Sequence, residues 1–236
     1  MQPSYMRTLG LIGGMSWHSS IEYYRIINTM VAAEKGGHAS APLLLSSVNF
    51  QEIRDMQVDE RWGDADTALA AEAKKLEAAG ADAVMICTNL MHKCAPAVQS
   101  AVDIPLLHIG DAIAYRAHKE GIGAVGILGT KWVMGQQFYR ERLEANGLSV
   151  VVPDAKEHEE VDRVIFDELT KGIVTKESQT YYVRLIKELA EQGAGAVVLG
   201  CTEIEHLIPA EVSPLPTIDS MRSHAEAGAR FILEQD

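Results

Sequence analysis

Short apolar runs alternate with longer amphipathic stretches along the chain. Thr8–Ile12, Leu43–Val48, Ala83–Ile86, Val125–Leu128, Ser149–Val152 and Ala196–Leu199 are apolar and bounded by Gly or polar residues, which predicts strands. Helical spacing of apolar positions predicts helices over Ser19–Glu34, Asp64–Ala79, Gly135–Asn146, Asp162–Lys171, Glu177–Gln192 and Ser220–Gln235. Strands that are apolar on both faces and separated by helices predict an α/β fold with a parallel sheet covered on each side.

The pattern is written twice. Leu9-Gly10-Leu11-Ile12-Gly13-Gly14 and Val125-Gly126-Ile127-Leu128-Gly129-Thr130 share one strand-to-turn form, and each is followed by a Trp (Trp17, Trp132) and a Tyr-Arg pair (Tyr24-Arg25, Tyr139-Arg140). Lys74–Ile86 lies over Lys187–Leu199 without a gap. Two matches in the same order predict two similar, doubly wound halves related by a pseudo-twofold axis, with a ligand site in the cleft between them. Ile104–Ile109 and Ser213–Ile218 read as matching exits where the chain crosses over. The first half is then 1–107 with 215–236, and the second is 108–214.

Composition narrows the partners. Lys plus Arg number 21 against 33 Asp plus Glu, a formal net charge of −12, which disfavours nucleic-acid backbones and anionic membrane surfaces. Apolar residues make up 47% of the 236 positions, enough for a real core, yet no run approaches the length of a membrane span. Met1–Arg7 lacks the basic-then-apolar pattern of a secretory signal, so a cytoplasmic location is expected. Three cysteines (Cys87, Cys94, Cys201) argue against a disulfide framework, and no CxxC or HExxH spacing supports a zinc site.

In open α/β sheets, ligands bind beyond the carboxyl ends of the strands. Those positions here are Gly13–Ser16, Val48–Gln51, Cys87–His92, Gly129–Trp132 and Gly200–Glu203. Two of these turns carry a cysteine, and the pseudo-twofold would set them face to face. Proton exchange at a stereocentre needs one group on each side of a planar carbanion. Each residue also has a plainer reading. The cysteines could be buried thiols, Thr88, Asn89 and Thr130 could cap helices, and Glu203 could pair with a helix dipole. His92 could be structural and Lys171 simply exposed. Gly13-Gly14-Met15-Ser16 lacks the full GxGxxG spacing, so dinucleotide binding is not expected.

Gly13-Gly14-Met15-Ser16-Trp17, Cys-Thr-Asn-x-Met-His at 87–92, Leu128-Gly129-Thr130 and Gly200-Cys201-Thr202-Glu203-Ile204 together resemble the aspartate/glutamate (Asp/Glu/hydantoin) racemase superfamily. The likeness is strongest to its aspartate racemase and broad-specificity amino-acid racemase branch. It implies two Rossmann-like halves and two-base racemisation of an amino acid, with neither pyridoxal phosphate nor metal, in an enzyme that is a homodimer by default. One departure matters: the usual Cys-Asn-Thr of the first half is Thr88-Asn89-Leu90 here. The repeat alignment agrees, since it pairs Thr88 with Cys201 and Cys87 with Gly200. Thr88 and Cys201 are therefore expected at the two catalytic positions. A hydroxyl is the weaker acid, so Cys201 is expected to be the competent base and Thr88 a proton donor or relay.

The expected substrate-binding set is Met15, Asn49, Gln51, Asn89, Leu90, Thr130, Lys171, Thr202 and Glu203. Asn49 and Gln51 are candidates for the substrate side chain, Thr130 for its α-carboxylate and Lys171, on a helix that could act as a lid, for a distal carboxylate. Two other readings remain open at this point: a single-cysteine decarboxylase of the same superfamily, and a small-molecule binder that has lost catalysis.

Overall fold

The computed structural model describes residues 6–234. Residues 1–5 of the signal-sequence reading, and the Gln235 end of the last expected helix, lie outside them. The chain divides into two compact units, one running to His108 and resuming at His224, the other formed by Ile109–Ser223.

The first unit contains β1 (Leu9–Gly13), α1 (Trp17–Lys35), β2 (Leu43–Ser47), α2 (Phe50–Val58), α3 (Trp62–Ala78), β3 (Ala83–Ile86) and α4 (Ala95–Ala101). Its three strands are parallel in the order β2-β1-β3. β1 and β3 are buried along their whole length, and edge strand β2 is half-exposed. This is why the first two read as unbroken apolar runs. The core on the α3 side joins Ile12, Leu69, Leu76, Val84, Ile86 and Val98.

The second unit contains α5 (Ile109–Lys119), β4 (Ala124–Leu128), α6 (Lys131–Gly135), α7 (Gln137–Ala145), β5 (Ser149–Val151), α8 (His158–Arg163), α9 (Lys176–Glu191), β6 (Ala196–Leu199), α10 (Ile204–Leu207) and β7 (Thr217–Asp219). Its four strands are parallel in the order β5-β4-β6-β7. The final helix, α11 (Ser220–Leu233), begins in this unit and ends in the first.

The repeat seen in the sequence is physical. Gly10, in the middle of β1, faces Leu76 of α3, where an added Cβ would lie 3.1 Å from the Leu76 Cβ. Gly126 in β4 faces Leu189 of α9, with the corresponding Cβ 2.9 Å from Leu189 Cδ1. In both units a glycine lets the helix before the third strand lie close against the central strand. The exits match as well. Val84 N–H donates to Pro105 O and Val197 N–H to Pro216 O, each at 2.9 Å. Leu106 forms only an isolated parallel bridge with Val84, whereas β7 is a full strand beside β6.

Several boundaries differ from expectation. The helix expected over 135–146 is α7, which starts at Gln137 because the extended backbone of Gln136 separates it from Gly135, the last residue of α6. The stretch 162–171 is the end of α8, a π-helical turn at Val164–Glu168 and a 3-10 turn at Leu169–Lys171. Its buried Val164, Ile165 and Leu169 keep the spacing that predicts a helix. The return to the first unit falls at residues 223–224 within α11 rather than at 215, since Thr217–Asp219 still pairs with β6.

Candidate active site

In the first unit the relevant turn follows β3. Ile12 is the last β1 residue paired with β3, and it sits opposite Ile86. The chain then corners: Cys87 N–H donates to Ile12 O and Thr88 N–H folds back onto Ile86 O, both at 2.9 Å. Cys87 is buried, and loss of solvent pushes its thiol well above the ordinary cysteine range. Thr88 is partly exposed, so the two neighbours face different surroundings. Asn89 and Leu90 are buried next to it. Asn89 precedes the 3-10 turn Leu90–Cys94 without capping it through its side chain, which removes the plain capping role for this residue.

Met15 is buried in the turn after β1. Gly14 holds φ +90°, and a Cβ there would lie 2.3 Å from Val48 O. The glycine pair thus lets the β1 and β2 turns touch backbone to backbone, a packing role rather than a phosphate loop. Asn49 caps α2, its Oδ1 accepting from Gln51 N–H at 3.1 Å, and its Nδ2 donates to Glu52. The Gln51 side chain runs along the exposed face of α2 and donates to Asp55 at 2.7 Å. Both side chains are occupied locally.

In the second unit, Leu128 pairs with Leu199, and two glycines follow the strands. Gly129 and Gly200 pack against each other: a Cβ on Gly129 would lie 3.4 Å from the Gly200 Cα. Gly200 N–H donates to Leu128 O at 2.7 Å, so the ends of β4 and β6 run side by side. Thr130 is buried and caps α6, its Oγ1 accepting from Val133 N–H.

Cys201, like Thr88, is the second residue past the last paired position of its strand. Its Sγ donates to Glu203 Oε2 at 2.9 Å, and Thr202 Oγ1 donates to the same oxygen at 2.8 Å. The residue is half-exposed, but protein encloses the thiol. Desolvation first, and then the Glu203 carboxylate, push its pKa well above the ordinary value. The resting group is therefore a thiol that points its proton at a carboxylate.

Asp162, which no sequence motif marks, lies close to these second-unit residues. Its Oδ1 accepts from Lys131 N–H at 3.0 Å, bracing the Thr130 turn, and its charge adds to the upward push on Cys201. Its position in the expected 162–171 helix was the only available signal. Lys171 is exposed and ion-paired to Asp167 at 3.4 Å, four residues earlier. Thr88, Asn89, Leu90 and Met15 thus belong to one unit, and Thr130, Cys201, Thr202 and Glu203 to the other. Among the described residues, no group of three or more His, Cys, Asp and Glu side chains is arranged to hold a metal ion, and no helix is long and apolar enough to cross a membrane.

Comparison with known proteins extends these observations over the whole chain. The crystal structure of a Yersinia pestis protein grouped with the Asp/Glu racemases is 44% identical, with a TM-score of 0.93, covering 97% of this chain and 100% of that one. An aspartate racemase homologue from Pyrococcus horikoshii is 34% identical with a TM-score of 0.83, again over 97% and 100% of the two chains. The broad-specificity amino-acid racemase RacX of Bacillus subtilis is 25% identical over 154 residues, 65% of this chain and 66% of that protein, just under two thirds of its length. The Asp/Glu/hydantoin racemase family model matches residues 12–228, from the end of β1 into α11 and through both glycine-flanked turns. The two parallel-sheet units are those of the Asp/Glu/hydantoin racemase family, to which this chain belongs.

Proposed function

We propose that the protein racemises an amino acid, aspartate or glutamate foremost, without a cofactor, by moving protons between Thr88 and Cys201 on opposite faces of the α-carbon. The observation that carries this reading is the Cys201–Glu203 contact, a thiol held 2.9 Å from a proton-accepting carboxylate at the end of β6. Thr88 occupies the same place after β3.

In one direction, Cys201 passes its proton to Glu203 and the resulting thiolate takes the α-proton. The Thr88 hydroxyl gives a proton to the opposite face of the planar carbanion and recovers one from water, and Glu203 returns the proton it took to the hydroxide so formed. In the other direction the Thr88 hydroxyl first loses its proton to water and then takes the α-proton, while the Cys201 thiol donates to the opposite face and regains a proton from water. The bond order at the α-carbon is restored in both cases, with one C–H broken and one formed. Desolvation and the Glu203 charge make thiolate formation unfavourable. The ammonium group of a bound amino acid, placed near the carboxylate, offsets part of that cost. Asn89, Thr130 and Thr202 supply polar contacts for the α-carboxylate and ammonium. Asn49, Gln51 and Lys171 are the candidates for the substrate side chain, and each must first give up the local partner it has in the empty protein.

The test is to incubate the protein with single enantiomers of a panel of amino acids in deuterated water and follow deuterium at the α-carbon. Inversion with deuterium incorporation is expected for acidic amino acids, and Cys201→Ser should lose both while keeping its circular dichroism. Decarboxylation of an arylmalonate without exchange, or binding without exchange, would replace this reading with the lyase or the binder.

A further inference from the structure

We propose that His92 is a positioning residue for Thr88, setting the direction of its hydroxyl by holding its main-chain carbonyl. The inference rests on the reading of Thr88 as a reacting group.

His92 is 1% exposed and lies one helical turn after Thr88. Its Nδ1 is 2.7 Å from Thr88 O. A carbonyl oxygen can only accept, so Nδ1 carries the proton. The His92 main chain contributes a second tie, donating to Asn89 O at 3.2 Å. Together with the Thr88 N–H to Ile86 O bond, these contacts hold the peptide groups on both sides of Thr88. The backbone angles of Thr88 are thereby restricted, and with them the cone its Oγ1 can sweep.

The imidazole is itself held. The His108 ring meets it edge-on at 4.5 Å between centroids, and the His224 ring does so at 5.4 Å. His224 is fixed through both nitrogens, since Nε2 donates to Leu107 O at 2.7 Å and Nδ1 lies 2.8 Å from the Tyr23 hydroxyl. With Nε2 donating to Leu107 O, Nδ1 and the Tyr23 hydroxyl share the second hydrogen bond of the ring. A path of buried polar groups thus runs from Tyr23 on α1, through His224 on α11, to His92 and the Thr88 carbonyl. A buried donor that merely needed a partner could use any nearby carbonyl. Here it uses that of the residue placed at the reacting position, with its own ring braced from two sides. A hydroxyl is a poor acid and has only its geometry to recommend it, so misplacement by about 1 Å is costly.

The experiment compares His92→Leu, His92→Asn and His92→Gln. The Asn amide nitrogen overlies Nδ1 and can still donate to Thr88 O, whereas the Gln amide nitrogen falls near Nε2. His92→Leu and His92→Gln are expected to lower kcat about tenfold to a hundredfold with KM nearly unchanged, and His92→Asn to recover most of that loss. The alkylation rate of Cys201 should be the same in all three. In the wild type, the ¹⁵N spectrum of His92 should show Nδ1 protonated. His92→Asn performing no better than His92→Gln, or an unprotonated Nδ1, would overturn the proposal. The ¹⁵N measurement and the Asn–Gln comparison decide it even if His92→Leu fails to fold. Thr88→Val separates the two levels of the argument. Full activity there removes Thr88 from the chemistry altogether, whereas an inactive Thr88→Val with indistinguishable His92 variants removes only the positioning role.

Discussion

Cys201 Sγ and Glu203 Oε2 lie 2.9 Å apart, so a thiol already raised by desolvation is held protonated further by a carboxylate two residues later. This contact makes Glu203 a proton acceptor for the thiol as well as a brake on the thiolate. The negative charge raises the thiol pKa, so removing it must lower that pKa, although desolvation remains. Glu203→Gln is therefore expected to shift the alkylation of Cys201 by a small neutral reagent toward lower pH. The same variant should lose about a hundredfold in racemisation, because an amide cannot take up the proton. A more reactive thiol in a less active enzyme is the expected pair of outcomes. An alkylation profile that stays in place would show that Glu203 does not govern the thiol.

How much of this was legible in the sequence follows from burial. Ala83–Ile86 and Ala196–Leu199 were readable to the residue because both faces of each strand are buried and every position is apolar. The duplication was legible because the same close contact, Gly10 with Leu76 and Gly126 with Leu189, needs the same residue types twice. Helices α2, α4 and α5 were not read. α4 has seven residues with a proline at its start, and the buried face of α5 is built from Ile109, Gly110, Ala112, Ile113, Ala114 and Ala117, a weak apolar signal. β7 spans three residues next to Pro216 and gains its identity from pairing with β6, which no local pattern encodes. The strand-end turns could be located by topology alone. Which side chains meet within them was legible only in part: Glu203, two residues after Cys201, is close enough in sequence to be a candidate for orienting it, whereas the His92–Thr88 contact depends on turn geometry.

Stability should fall in mildly alkaline solution. Cys87 and Cys94 are buried, and desolvation raises both thiols far above their usual range. A group whose folded pKa is raised keeps its stabilising contribution below the unfolded value and loses it as pH climbs toward the folded one. The loss therefore begins near pH ~8.5, where thiols of the unfolded chain ionise, and proceeds at up to ~1.4 kcal/mol per pH unit for each buried thiol. The buried tyrosines, such as Tyr139, join only from about pH 10, so denaturant melts between these limits isolate the thiols. Replacing Cys87 and Cys94 by Ala should reduce the slope, leaving the share of Cys201, whose thiol is raised as well, while lowering stability at pH 7. Cys94→Ser alone should be destabilising as well, by about 1 kcal/mol, because a hydroxyl is harder to bury than a thiol in the cluster around Leu69 and Val98, even with Asp66 there to accept its hydrogen bond. An unchanged slope in the double variant would assign the alkaline loss to other groups.

The register of the first strand-end turn is the most exposed expectation. Thr88 and Cys201 are each two residues past the last paired residue of their strands, whereas Cys87 is one residue past and buried. Thr88→Cys therefore puts a second thiol where Cys201 has its counterpart, and turnover should rise for the enantiomer whose reaction needs deprotonation from the Thr88 side. The gain comes from thiol acidity, of which only a fraction reaches the rate. Because the two enantiomers interconvert with an equilibrium constant of one, kcat and KM can change unequally in the two directions while their ratios remain equal. Cys87→Ala removes a buried sulfur, so it should cost about 1–2 kcal/mol in a denaturant melt and leave kcat intact. Both variants are assayed by circular dichroism from each enantiomer separately. An inactive but folded Cys87→Ala, beside a Thr88→Cys that changes nothing, would shift the register by one residue and make Cys87 the partner of Cys201. That result would require the chain to turn a side chain out of the core on substrate binding, which the backbone hydrogen bonds of Cys87 to Ile12 and of Thr88 to Ile86 oppose.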